Sequence, residues 1–193
     1  NGVHIPAHYE IPEEFPEATD RMFRWLDRNI RTLDQLLILG GEPFIQRETL
    51  RLLDFLAEEP ADINLVVFSN LMVSEERLKL IVERLRHAQV SQITIVASLD
   101  AWGPGAEYHR SGLDLSQFQR NFEYLLHNTD FVLNINSTLT VLSVPELPAL
   151  VERINHWSQT RSVNWSLMKV AGKPFLHPTI LGGKIVNCGF DQA

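Results

Sequence analysis

Short apolar runs alternate with longer amphipathic stretches along most of this chain, and this alternation constrains its fold more than any other feature. Each short run is rich in Ile, Val, Leu or Phe and is too brief for a helix, so each predicts a β-strand. The predicted strands are Gln35–Leu39, Ile63–Phe68, Gln92–Ser98, Phe131–Leu139 and Val163–Met168. The nearly continuous apolar run at the end of the first strand indicates a strand covered on both faces, as in a parallel sheet.

The amphipathic stretches between these runs predict helices. In one of them, Leu78 and Ile81 lie on the same helix face, and Ser74 stands at the N-cap position. In another, Ser143 and Glu146 have the spacing of a capping box. The predicted helices are Glu17–Leu33, Arg47–Glu58, Glu75–Gln89, Gln117–His127 and Pro145–Gln159.

The order of these elements predicts the fold class. An opening helix precedes the first strand, four strand–helix units follow, and a fifth strand ends the series. The strand centres repeat about every 30–40 residues, which is enough for a right-handed crossover between parallel strands. A length of 193 residues suits one domain with a buried core. We therefore predict an α/β fold built on a parallel sheet.

Composition excludes several classes of function. The chain has 17 Lys and Arg against 24 Asp and Glu, a formal charge of −7, which argues against a general binder of nucleic-acid backbones. No stretch reaches the roughly 20 uninterrupted apolar residues that span a bilayer, so we expect no membrane partner and a cytoplasmic protein. Cys188 is the one cysteine, which excludes an internal disulfide and any site built from several thiolates of this chain.

The carboxyl ends of the predicted strands carry the residues that suggest a binding site, because parallel α/β folds place functional groups there. The first strand runs into Gly40-Gly41-Glu42-Pro43. Two glycines permit positive φ and let a ligand approach bare backbone, and proline fixes the exit toward the next helix. The alternative is a tight turn that binds nothing. The third strand ends in Ser98-Leu99-Asp100, and the fourth contains Asn134 and Asn136.

These stretches together resemble the radical S-adenosylmethionine (radical SAM) enzymes. Gly40-Gly41-Glu42-Pro43 is similar to the motif that closes the second strand of their partial barrel. Phe68-Ser69-Asn70 stands where they often have Thr-Asn-Gly, and Ala97-Ser98-Leu99-Asp100-Ala101 resembles their Ser-Leu-Asp-Gly. The run from Asp100 to Arg110 and the later Phe175-Leu176-His177-Pro178 look more like the twitch-domain-containing members. The resemblance covers about residues 35–178.

The resemblance implies a fold and a cofactor. The fold is a partial (β/α)6 TIM-like barrel, and the cofactor is SAM. The backbone of Gly40, Gly41 and Glu42, in the turn that Pro43 ends, would hold the methionyl amino group.

It also implies roles for four side chains farther along. Ser98 and Asp100 would lie near the methionyl carboxylate or the ribose, and Arg110 would bind the carboxylate through paired hydrogen bonds. Asn136 would contact the ribose. Without a ligand, Ser98 and Asp100 would cap the following loop, Arg110 would be a surface charge, and Asn136 would satisfy a hydrogen bond inside the barrel.

The chain departs from the family in its cysteines. The family's radical chemistry needs a 4Fe-4S iron–sulfur cluster held by a Cys-x3-Cys-x2-Cys motif after the first barrel strand. The resemblance places that loop before Asn1, so the cluster ligands are absent from this chain. We therefore expect residues 1–178 to form a partial radical SAM barrel without its first strand and cluster loop. Residues 179–193 would begin a truncated C-terminal extension.

Two functions follow from these observations. The first is a fragment of a radical SAM enzyme, inactive alone, whose intact form cleaves SAM reductively and acts on an unknown substrate such as a peptide or protein. The second is a non-catalytic α/β module that binds SAM or a protein partner. A missing first strand would expose the edge of strand 35–39, which predicts dimerisation or strand pairing there, or covering by residues 1–15.

Overall fold

The computed structural model describes residues 15–169, and all five predicted strands are present in that range. They form one sheet in the order β1-β2-β3-β4-β5, and every neighbouring pair is parallel. Their bounds lie within two residues of those predicted. The strands are β1 Gln35–Ile38, β2 Ala61–Ser69, β3 Val90–Ser98, β4 Val132–Leu139 and β5 Val163–Lys169.

The predicted helices are also present, and one short helix is new. The helix that the sequence did not predict, α4, has six residues and follows β3. Three short 3-10 turns span Ile30–Thr32, Pro43–Ile45 and Val144–Glu146. The α-helices are α1 Phe15–Asn29, α2 Arg47–Glu58, α3 Glu75–His87, α4 Pro104–His109, α5 Leu115–Asn128 and α6 Leu147–Ser158.

Strand order places the core on one side of the sheet. Each crossover leads to the next strand in the same direction, so right-handed connections put the crossover helices on one face. Alternate strand residues face these helices and form the buried core with them, for example Leu65, Ile95 and Ile135. The residues between them, such as Val66, Val96 and Asn134, lie on the opposite side, which we call the inner face. This arrangement confirms the α/β parallel-sheet prediction.

Two details of the prediction are wrong. The first strand is not covered on both faces, because Leu37 and Leu39 are 44% and 59% exposed. Both lie toward the inner face, on the side of the sheet away from the helix-packed core, and β1 is at the edge of the described sheet. The proposed capping box also does not form. Ser143 has helical backbone angles and bonds with Thr140, whereas the carboxylate of Glu146 reaches a different helix.

Ser74 caps α3 as predicted, because its hydroxyl accepts from the N–H of Arg77 over 3.2 Å. Within residues 15–169, no helix combines the length and apolar character needed to cross a membrane. Phe175–Pro178, Cys188 and the predicted extension over residues 179–193 lie outside the described residues. Dimerisation through strand 35–39 stays a prediction.

Candidate functional site

The turn after β1 has the backbone conformation that its two glycines permit. Gly40 has φ of 88° and Gly41 has φ of 53°, a region that favours glycine. A Cβ at Gly40 would meet no atom within 4 Å, so the backbone there borders open space. Pro43 then begins the 3-10 turn, where Pro43 and Phe44 are buried. The turn therefore presents bare backbone at the carboxyl edge of the sheet, on a buried support.

The carboxylate of Glu42 joins this turn to the end of β2. Its Oε1 accepts from the N–H of Phe44 over 3.1 Å and from the hydroxyl of Ser69 over 2.7 Å. Its Oε2 accepts from the N–H of Asn70 over 2.8 Å. The sequence motif indicated a role for the Glu42 backbone and none for its side chain. The spacing of 27 residues to Ser69 contains no local signal for this contact.

The segment after β2 contains a strained residue. Leu71 has a positive φ of 58° although it is not glycine, and its side chain is fully buried. The conformation is held from both ends, because the Leu71 N–H donates to Ser69 Oγ over 2.9 Å and Asn121 Nδ2 donates to the Leu71 carbonyl over 2.7 Å. A left-handed conformation costs a non-glycine residue about 1–2 kcal/mol. These contacts compensate for that strain.

The end of β3 forms a second cluster. Arg110 Nη2 lies 3.2 Å from Asp100 Oδ2, and Arg110 Nη1 donates to the Ser98 carbonyl over 2.8 Å. Asp100 Oδ1 accepts from the N–H of Thr138 on β4 over 2.8 Å. Arg110 is therefore not a free surface charge, since its side chain is 31% exposed and paired. Asp100 bridges two strand ends instead of capping its own loop.

Neutral polar side chains line the inner face of β4 and β5. Asn136 lies opposite Ser98 on β3 and Ser166 on β5, and its Oδ1 accepts from Ser166 Oγ over 3.0 Å. One pleat earlier, Asn134 lies opposite Asn164. The Oδ1 of Asn134 is buried and has no hydrogen-bond partner among the described residues. The sequence pattern places Asn134 in the fourth predicted strand and indicates no role for it.

The predicted site residues thus form two groups at one edge of the sheet. The turn containing Gly40 and Glu42 is bound to the end of β2. The group of Ser98, Asp100 and Arg110 is bound to the end of β4. Both groups lie at strand carboxyl ends, where ligands bind in parallel α/β folds.

The residues fit SAM but do not fit an iron–sulfur cluster. SAM carries an ammonium group that carbonyl oxygens can accept and a carboxylate that a guanidinium can bind. The open backbone at Gly40 and the half-buried Arg110 supply these two kinds of group. A 4Fe-4S cluster needs three thiolates, and the whole sequence contains one cysteine. Within residues 15–169, no group of three His, Cys, Asp or Glu side chains is placed to hold a metal ion.

Comparison with protein-family models and with curated protein sequences finds no match. Comparison with solved structures does find similar folds. SuiB from Streptococcus suis bound to S-adenosylmethionine has a TM-score of 0.62 and 18% identity over 88% of this chain. The structure of SuiB bound to its precursor peptide SuiA has a TM-score of 0.60 and 19% identity over 89% of this chain.

The chain spans only part of these relatives, 38% of the first and 36% of the second. At this identity, the likeness establishes the fold. The α/β chain with a five-stranded parallel sheet therefore shares the partial-barrel architecture of SuiB, a protein whose structures contain bound S-adenosylmethionine and a bound precursor peptide.

Proposed function

We propose that this chain forms the SAM-binding partial barrel of a radical SAM-type protein that acts on a peptide. The observation that carries the proposal is the agreement between two findings. The fold is that of SuiB, whose structure contains SAM. The carboxyl edge of this chain's sheet also holds a diglycine turn beside open space and a half-buried arginine.

The turn after β1 would bind the ammonium group of SAM through its backbone. All three hydrogen bonds to the Glu42 carboxylate come from the protein itself, so that side chain anchors the turn. The backbone at Gly40 borders open space and remains available to a ligand. A carbonyl oxygen accepts from an ammonium group in a charge-assisted hydrogen bond, which is stronger than a neutral one.

The end of β3 would bind the carboxylate and ribose of SAM. Arg110 contacts Ser98 and Asp100 through one nitrogen each, and a guanidinium has five N–H donors, so donors remain for a ligand carboxylate. The contacts already made by Arg110 hold the guanidinium in one orientation, which reduces the entropy lost when a ligand binds. Ser98 and Asn136 face the same side of the sheet and offer neutral groups to ribose hydroxyls.

A peptide partner suits the inner face of β4 and β5. Asn136 and Asn164 supply amide side chains there, and an amide can both donate to and accept from a peptide group. Across the same face, beyond β3 and β2, Leu37 of β1 supplies an apolar side chain that is 44% exposed. A face with a neutral polar half and an apolar half favours an uncharged peptide segment.

The residues of this chain would bind and orient SAM and a peptide. Because the sequence supplies one thiol, no redox step can be assigned to its own side chains. The second candidate is a module that binds SAM or a protein partner without redox chemistry. The twitch-type extension after residue 178 stays a prediction.

Isothermal titration of the purified chain with SAM tests the binding proposal. We expect saturable binding, which Arg110→Ala weakens by about tenfold because a charged hydrogen bond to the carboxylate is lost. Arg28→Ala, at an exposed position of α1, is the matched control and should leave the affinity unchanged. If the wild-type chain binds no SAM, the proposal is wrong.

Anaerobic incubation with iron and sulfide tests whether this chain alone can hold a cluster. Both candidates predict that it retains only trace iron after gel filtration, because the sequence supplies one cysteine. Retention of about four irons per chain would show that the chain holds a cluster with ligands other than three of its own cysteines.

A further inference from the structure

Glu146 precedes α6 in the chain, but its side chain caps the N-terminus of α4. Glu146 ends the 3-10 turn before α6, yet its Oε1 accepts from the N–H of Gly105 over 2.8 Å. Its Oε2 accepts from the N–H of Ala106 over 2.9 Å. These N–H groups belong to the first turn of α4, about 40 residues earlier in the chain. A negative charge at that end also interacts favourably with the helix dipole.

The loop before α4 is shaped around this carboxylate. A Cβ at Gly103 would lie 2.6 Å from the carboxyl carbon of Glu146, and a Cβ at Gly105 would lie 3.0 Å from it. The backbone of Glu146 adds a further contact, because its carbonyl accepts from the N–H of Trp102 over 3.5 Å. On α6, the guanidinium of Arg153 lies over the ring of Trp102 at 4.6 Å from its centroid. Glu146 and Arg153 therefore both contact the segment that leads into α4.

The opposite end of α4 carries Arg110. This residue is the C-cap of the helix, and its N–H donates to the Ala106 carbonyl over 3.2 Å. Its guanidinium makes the contacts with Ser98 and Asp100 described above. Glu146 fixes one end of a six-residue helix, and Arg110 extends from the other end to the candidate ligand site.

We infer that Glu146 is a positioning residue that sets the place of Arg110 for a ligand carboxylate, acting through α4. The inference rests on the proposed function, since the ligand concerned is SAM. Glu146 itself contacts backbone N–H groups of α4, so its effect on a ligand has to pass through Arg110 and the helix.

Two ligands distinguish positioning from general damage. SAM carries the carboxylate, and decarboxylated SAM lacks it while keeping the rest of the molecule. In Glu146→Ala, we expect SAM to bind about tenfold more weakly and decarboxylated SAM to bind as it does to the wild type. Glu146→Gln keeps one carbonyl oxygen as an acceptor and should lose less affinity. Glu152→Ala, at an exposed position of α6, is the control and should change neither affinity.

A double variant tests the route through the arginine. If Glu146 acts through Arg110, Glu146→Ala has little further effect on SAM affinity once Arg110→Ala is present. Equal loss in both backgrounds, or equal loss for both ligands, would overturn the inference. Unchanged SAM affinity in a folded Glu146→Ala protein would overturn it as well, while leaving the proposed function intact. Failure of the wild-type chain to bind SAM would remove the proposed function and this inference together.

Discussion

The hydroxyl of Ser69 donates to the carboxylate of Glu42 over 2.7 Å, and this bond joins the ends of two neighbouring parallel strands. The same hydroxyl oxygen accepts from the N–H of Leu71 over 2.9 Å. Ser69 therefore couples the diglycine turn to the strained residue after β2. Hydrogen bonds to a charged acceptor contribute about 1.5–3 kcal/mol each, so this pair stabilises the carboxyl edge of the sheet more than a neutral contact would.

Replacing Glu42 by alanine should destabilise the protein strongly. The change leaves the hydroxyl of Ser69 and the N–H groups of Phe44 and Asn70 without their acceptor. We expect the free energy of unfolding to fall by about 2–4 kcal/mol, measured by urea denaturation. Glu58→Ala, exposed near the end of α2, should change it by less than about 0.5 kcal/mol. Equal effects at the two positions would contradict the bridging role of Glu42.

At Leu71, substitution by glycine should give a more stable protein than substitution by alanine, the reverse of the usual order in a helix. Both substitutions remove the buried leucine side chain, at a cost of about 2–5 kcal/mol, but only glycine relieves the positive φ. We expect Leu71→Gly to be more stable than Leu71→Ala by about 1 kcal/mol. Leu53, buried within helix α2, provides the control. There the alanine variant should be more stable than the glycine variant by about 1 kcal/mol. If alanine is also the more stable variant at position 71, the backbone of Leu71 is not strained.

Substitution of Gly40 should affect both the stability of the fold and the affinity for SAM, and a matched glycine separates the two effects. Gly40 and Gly112 have φ of 88° and 84°, and a Cβ at either would meet no atom within 4 Å. Alanine at either position should therefore cost similar stability, about 1–2 kcal/mol. Because only Gly40 lies in the proposed ammonium site, only Gly40→Ala should also weaken SAM binding in calorimetric titration. Equal SAM affinity in the two variants would exclude Gly40 from that site.

Asn134 and Asn136 should respond to the same substitution with opposite sign. The buried oxygen of Asn134 has no partner among the described residues, so Asn134→Leu should raise the free energy of unfolding by about 1 kcal/mol. The oxygen of Asn136 accepts from Ser166, so Asn136→Leu should lower it by about the same amount. Urea denaturation measures both changes. Destabilisation by Asn134→Leu would show that this oxygen is bonded in the folded protein.

The edge of β1 should mediate self-association. Leu37 is 44% exposed on a strand that pairs, among the described residues, with β2 alone. We expect sedimentation velocity to show a dimer, and Leu37→Lys to give a monomer, because charge on an edge strand opposes pairing. Leu80→Lys, at a similarly exposed leucine of α3, should remain dimeric. A monomeric wild-type chain would disprove this prediction.

Local sequence patterns were sufficient to predict the strands, the longer helices and the diglycine turn. Apolar runs and helical spacing located β1–β5 and the longer helices, since each signal lies within the element that it predicts. The positive φ of Gly40 and Gly41 followed from glycine alone. Helix α4 was missed because it has six residues and depends on an acceptor about 40 residues away. The capping box failed for the same reason, since Glu146 bonds outside its own helix.

The sequence by itself determined the α/β class, the parallel direction of the strands, and which strand ends carry polar groups. It also determined, through its one cysteine, that these residues alone cannot supply three thiolates to a cluster. Only the tertiary structure decided which of those polar groups form hydrogen bonds or ion pairs with one another. Glu42 with Ser69, Asp100 with Arg110 and Glu146 with α4 are contacts between separate elements. No local spacing encodes such contacts, because they exist only once the sheet has brought the ends of its strands to one edge.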